Sequence, residues 1–130
     1  VAISDLCSKT LLIDNALFTE FKGALTENIV AQSLVYGGFD KLFYWTSEHT
    51  AEVDFMLPIT NTIIPLEVKS GLAVKSKSLK IYADKYQPPF AIRVSPLNLS
   101  KEGGILNCPL YLVERLPMLL SALIDLTPPE

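Results

Sequence analysis

The sequence predicts one mixed α/β domain, a central mixed sheet flanked by helices. Three observations carry this expectation. Of the 130 residues, 49% are apolar, enough to build a single core without disulfide staples. The apolar pattern switches along the chain between the helical and the strand period. The segments run helix, three strands, helix, strand, strand, helix. Three successive strands point to an antiparallel meander, and the helix before the fourth strand to a parallel crossover.

Residues 1–19 form a mixed leading segment, with a short helix expected around Ser8 to Ala16. The core, residues 20–130, opens with a helix over 20–35 that Gly37 and Gly38 stop. Residues 41–47 are aromatic and strand-like, and 51–57 alternate as a second strand. Asn61 marks a turn into a third strand over 62–69. Leu79, Tyr82, Ala83 and Tyr86 fall at helical spacing within 76–86, and Pro88 and Pro89 end that helix. Residues 90–94 and 110–113 read as the fourth and fifth strands. A last helix over 116–124 is apolar nearly all round and is expected to lie against the sheet.

Composition excludes little. The net charge of −3 does not argue against nucleic acid, because a basic face can exist on an acidic domain. Cys7 and Cys108 are far apart and in no metal-ligand spacing, which fits two reduced thiols in a cytoplasmic protein. No apolar run approaches the roughly 18 residues of a membrane span, and no signal peptide is visible. No GxxxxGK[ST] loop occurs, so no ATP site of that kind is expected here. The chain opens on Val1 in ordinary-looking sequence, and the expectation is a domain belonging to a longer protein.

The chemistry concentrates in Pro65-Leu66-Glu67-Val68-Lys69-Ser70-Gly71. Strand alternation puts Glu67 and Lys69 on one face and Ile64, Leu66 and Val68 on the other. On the preceding strand, Asp54 shares a face with Glu52 and Met56, opposite Val53, Phe55 and Leu57. In the first helix, Glu27 sits among Gly23, Ala24, Val30, Ala31 and Leu34, an apolar stripe where a carboxylate needs a partner. If all three acids converge, Asp54 and Glu67, with the Val68 carbonyl, are candidate ligands of Mg²⁺ or Mn²⁺. Lys69 then stands beside the attacking water, which is the equipment of metal-assisted phosphodiester hydrolysis. An isolated Glu-x-Lys pair is usually a solvated ion pair, so the combination rather than the spacing carries the reading.

The ordered set Glu27, Asp54 and Glu67-Val68-Lys69 resembles the PD-(D/E)xK signature of the restriction-endonuclease-like superfamily. The stretches at 21–28, 44–47, 51–55, 64–71 and 74–80 are similar to the C-terminal domain of unknown function that follows the AAA ATPase module in many prokaryotic ATPases. The resemblance implies a restriction-endonuclease-like fold. It also implies metal binding by Asp54 and Glu67, water activation by Lys69 and support from Glu27. The strict pattern has Pro before its Asp, where this chain has Val53. The implied function is a metal-dependent nuclease-type domain acting on DNA, partnered by an ATPase module of the same protein. The alternative is a non-catalytic nucleic-acid-binding, regulatory or oligomerisation module of that ATPase.

Lys75, Lys77 and Lys80 form a basic stretch with Lys69, Lys85 and Arg93, and are candidate phosphate contacts. His49, the one histidine, falls in a polar loop and reads as a surface residue. Tyr44 and Trp45 suit base stacking but more commonly fill a core edge. The apolar last helix leaves a homo-oligomer open.

Overall fold

The computed structural model describes residues 15–72 and 75–125, with side chains from residue 20 onward. Its order is α1 (Asn15–Tyr36), β1 (Phe43–Thr46), β2 (Glu52–Ile59), β3 (Thr62–Val68), α2 (Lys77–Tyr86), β4 (Ala91–Val94), β5 (Ser100–Glu102), β6 (Ile105–Cys108), a 3-10 helix (Leu110–Arg115) and α3 (Leu116–Asp125). Among the described residues this is a mixed α/β fold with one six-stranded sheet, ordered β1-β2-β3-β4-β6-β5. The expected meander is present: β1, β2 and β3 pair antiparallel, with Thr60 at φ 53° in the turn beside Asn61. The expected crossover is present too, since β4 lies parallel to β3 with α2 between them in sequence.

Two expectations are corrected. The first helix begins before residue 20: residues 15–19 belong to α1, and the rest of the expected 8–16 helix lies outside the described residues. The second concerns residues 110–113, which form a 3-10 helix rather than a strand. Pro109, extended at φ −65° and ψ 151°, ends the sheet, and its carbonyl accepts the Leu112 N–H. The strand that pairs with β4 on the side away from β3 is Ile105–Cys108, and β5 folds back on it antiparallel.

The two faces of the sheet are packed differently. Val30 and Leu34 of α1, Val113 of the 3-10 helix, and Leu116 and Leu120 of α3 bury Leu57, Ile64, Leu66, Ile92, Val94 and Leu106. On the other face Leu79 and Tyr82 of α2 cover Val53, Met56 and Ala91. α1 stops where the 3-10 helix passes it. A Cβ on Gly37 would sit 2.8 Å from the Glu114 carbonyl oxygen, so only glycine lets the two backbones approach there. α3 lies against the sheet as expected, with Leu116 and Leu120 fully buried and Met118, on its outer side, 60% exposed. α2 ends at Gln87, left-handed at φ 47°, whose N–H donates to the Ala83 carbonyl just before Pro88.

Candidate active site

β1 and β2 do not stay in simple register. Phe43 pairs with Met56 and Trp45 with Val53, so Asp54 and Phe55 together face the single residue Tyr44. This is a bulge on β2. It corrects the expected alternation: Val53 lies in the α2-side cluster with Met56, while Phe55 and Leu57 lie in the larger core. The extra residue re-aims Asp54 toward the end of β3. Its Oδ2 accepts the Val68 N–H at 2.7 Å. The β2–β3 ladder runs to Phe55–Leu66, and one step further brings Asp54 level with Glu67.

Glu67 is only 5% exposed. Its Oε1 lies 3.1 Å from Lys69 Nζ, while its Oε2 is buried without a hydrogen-bond partner among the described residues. The Lys69 backbone N–H donates to the Val94 carbonyl at 2.8 Å, anchoring the end of β3 to β4. The Asp54 carboxyl is pushed up to about 6, mainly by burial. The Val68 N–H opposes this, Glu27 and Glu67 add repulsion, and Lys69 relieves part of it.

The structure therefore brings Asp54, Glu67, Val68 and Lys69 together at the adjoining ends of β2 and β3. Glu27 stands at the edge of this junction. It is exposed on α1 although it shares a stripe with Val30 and Leu34, because the buried part of the helix begins only at Val30. It lines a shallow hollow with Phe55 and acts on Asp54 through its charge. Among the described residues no three His, Cys, Asp or Glu side chains group as a metal cage.

The family model for the domain of unknown function DUF4143 matches residues 22–111. The chain belongs to this family. The DUF4143 match contains Glu27, Asp54, Glu67, Lys69, Lys75, Lys77 and Lys80, so every candidate lies within the family's own segment. No curated protein and no solved structure matches this DUF4143 chain.

Lys75, Lys77 and Lys80 are exposed and line one groove with Arg93. His49 is exposed in its loop, as expected. Trp45 packs edge-on against Tyr82 with ring centroids 5.2 Å apart, and Tyr44 is 75% exposed. Cys108 is buried and in no disulfide among the described residues, its thiol pushed up to about 11 by burial, and Cys7 lies outside the described residues. Among the described residues no helix is long and apolar enough to cross a membrane.

Sequence reasoning missed Asn107. It is 1% exposed and stands in register beside Arg93, which in turn stands beside Glu67. A polar row thus crosses three parallel strands on the α2 face. The available signal was a lone Asn inside the short apolar run Ile105-Leu106-Asn107-Cys108, bounded by Gly104 and Pro109.

Proposed function

We propose that this domain is a metal-dependent nuclease-type module with a restriction-endonuclease-like core, hydrolysing phosphodiester bonds in DNA and working beside an ATPase module of the same protein. The observation that carries the reading is the junction of Asp54, Glu67 and Lys69 at the end of β3, with Glu67 Oε2 buried and unpartnered. A buried carboxylate oxygen without a donor is costly unless a cation meets it. Asp54, held up to about 6 partly by its acidic neighbours, is eased by the same cation. Hard cations need few protein oxygens because they keep several waters, so this donor set fits Mg²⁺ or Mn²⁺. Asp54, Glu67 and the Val68 carbonyl are the residues that would hold it. When bound, the ion supplies charge neutralisation at the phosphoryl oxygens. Lys69, placed by its ion pair with Glu67, orients the attacking water and balances negative charge. Glu27 tunes Asp54 from outside the site. Lys75, Lys77 and Lys80 face the substrate backbone.

The test is a Mg²⁺ and Mn²⁺ titration by calorimetry on the wild type and on the Asp54→Asn, Glu67→Gln double variant, each assayed for plasmid nicking. Metal binding and nicking lost together in the double variant support the reading. An absence of metal binding at millimolar concentration overturns it.

A second reading, a non-catalytic regulatory or oligomerisation module of the ATPase, is favoured by the sheet's β1 edge. There Phe43, Tyr44, Ile63 and Tyr86 are exposed around one apolar hollow. Sedimentation of the chain checks self-association.

A further inference from the structure

A groove of about 600 Å³ runs between α2 and the β5–β6 turn. Lys75, Lys77, Lys80 and Arg93 line it, against the single acid Asp84. Such a concentration of positive charge in a concave, partly apolar wall selects an anion. Its floor is fixed backbone, since the Ala91 N–H donates to the Gly104 carbonyl at 2.9 Å and ties the turn to β4. Ser76, in the groove wall, has a buried Oγ without a hydrogen-bond partner among the described residues. α2 begins at the next residue, with no acidic side chain in its first turn and no side-chain cap, so its N-terminal end adds positive potential there.

Arg93 is held in place. Its Nε–H donates to Asn107 Oδ1 at 3.1 Å. Ser95 Oγ donates to the same oxygen at 2.5 Å. Asn107 Nδ2 donates to the Leu97 and Asn98 carbonyls at 2.9 and 3.0 Å. The buried amide thus has both ends engaged, and it sets the plane of the guanidinium. A planar guanidinium fork matches phosphate oxygens in a way a lysine does not.

We propose that this groove seats a phosphate group of a nucleic-acid strand, with Arg93 as the central contact and Asn107 as the residue that positions it. Assigning the phosphate to a nucleic acid rests on the nuclease reading above. The groove itself stands apart from that reading, because neither Asp54 nor Glu67 lines it. Glu67 and Arg93 are register partners on adjacent strands, about 4.8 Å apart. The seat and the candidate site thus draw on neighbouring strands of the same sheet face. A strand suits the groove better than a single phosphate because Lys77 and Lys80 stand about one turn apart on the exposed side of α2.

The experiment is fluorescence anisotropy of a labelled DNA duplex in EDTA, over roughly 50 to 200 mM salt. Arg93→Gln is expected to weaken binding about tenfold and to lower the salt slope by about one. Arg93→Lys, which keeps charge but not the fork, is expected to fall between the two. Asn107→Ala is expected to weaken binding well below its melting temperature and to add little to Arg93→Gln, a coupling that loss of stability alone does not produce. Should Asn107→Ala not fold, Arg93→Gln decides. Unchanged affinity in Arg93→Gln overturns the seat. Thermal protection by inorganic phosphate without any duplex binding overturns its assignment to a strand. Binding in EDTA needs no metal, so a wild type that binds the duplex in EDTA but nicks no plasmid in Mg²⁺ overturns the hydrolytic reading and leaves this one standing, and the two failures are told apart.

Discussion

The two faces of one sheet divide the work of this domain. The face under α1 and α3 presents Ile64, Leu66, Ile92, Val94, Leu106 and Cys108, all buried. The opposite face presents, from the same strands, Pro65, Glu67, Ala91, Arg93, Ile105 and Asn107, and its apolar cluster with α2 is small. Successive residues of a strand point to opposite sides, so each strand carries stability and polar chemistry at once. A polar row is tolerated on the second face because the first already supplies a continuous apolar layer. Most of its polar atoms are also partnered: Asn107 has both amide ends engaged and Glu67 Oε1 meets Lys69, which leaves Glu67 Oε2 as the exception.

The largest expected effect lies on the apolar face. Leu66→Ala or Ile92→Ala removes a fully buried side chain, and denaturant unfolding should show a loss of about 2–5 kcal/mol. A much smaller loss would mean that this layer is not the core. Next comes Asn107→Ala, which strands Arg93 Nε, Ser95 Oγ and two loop carbonyls. A cost of about 1–3 kcal/mol is expected from the same measurement. Equal costs for Asn107→Ala and Leu66→Ala would erase the distinction between the faces.

Asp54→Asn is expected to act in the other direction. The folded protein holds the Asp54 proton up to about 6, above the ordinary value of 3.8. Between these values the folded state binds more protons than the unfolded state, so stability falls as pH rises through the window and stays lower above it. The amide keeps an acceptor for the Val68 N–H without the buried charge. Thermal melts should therefore show Asp54→Asn a few degrees more stable than wild type at pH 7.5, with the gap closing below pH 4. A variant less stable at pH 7.5 would remove the electrostatic account of this site. The smallest effect is expected at the exposed side of α3. Met118→Lys should change stability by no more than about 0.5 kcal/mol, and a larger loss in equilibrium unfolding would point to a covered surface there.

Much of the fold was legible where the local signal was strong. The helix of Leu79, Tyr82 and Tyr86, the meander of the first three strands and the Gly37-Gly38 stop all follow from periodicity and backbone chemistry. The last two strands were not legible. Residues 110–113 have the more apolar run, yet Pro109 removes a donor and ends the sheet. Asn107 makes the true strand look like a loop. The candidate site was legible as residue types, since Asp54, Glu67 and Lys69 stand in an ordered pattern. The exposure of Glu27 was not legible, because helical spacing gives the stripe it shares with Val30 and Leu34 but not where along α1 the buried part begins.

The sequence by itself determined the α/β class, the meander, the crossover and the identity of the acids and lysine near the end of β3. These depend on periods and spacings local to one segment. Only the tertiary structure decided the bulge that re-aims Asp54, the exposure of Glu27, and the row that aligns Glu67, Arg93 and Asn107. Those features depend on the register between strands distant in sequence. Side chains alternate with period two, so a slip of one residue sends each of them to the opposite face, and no local pattern reports that slip.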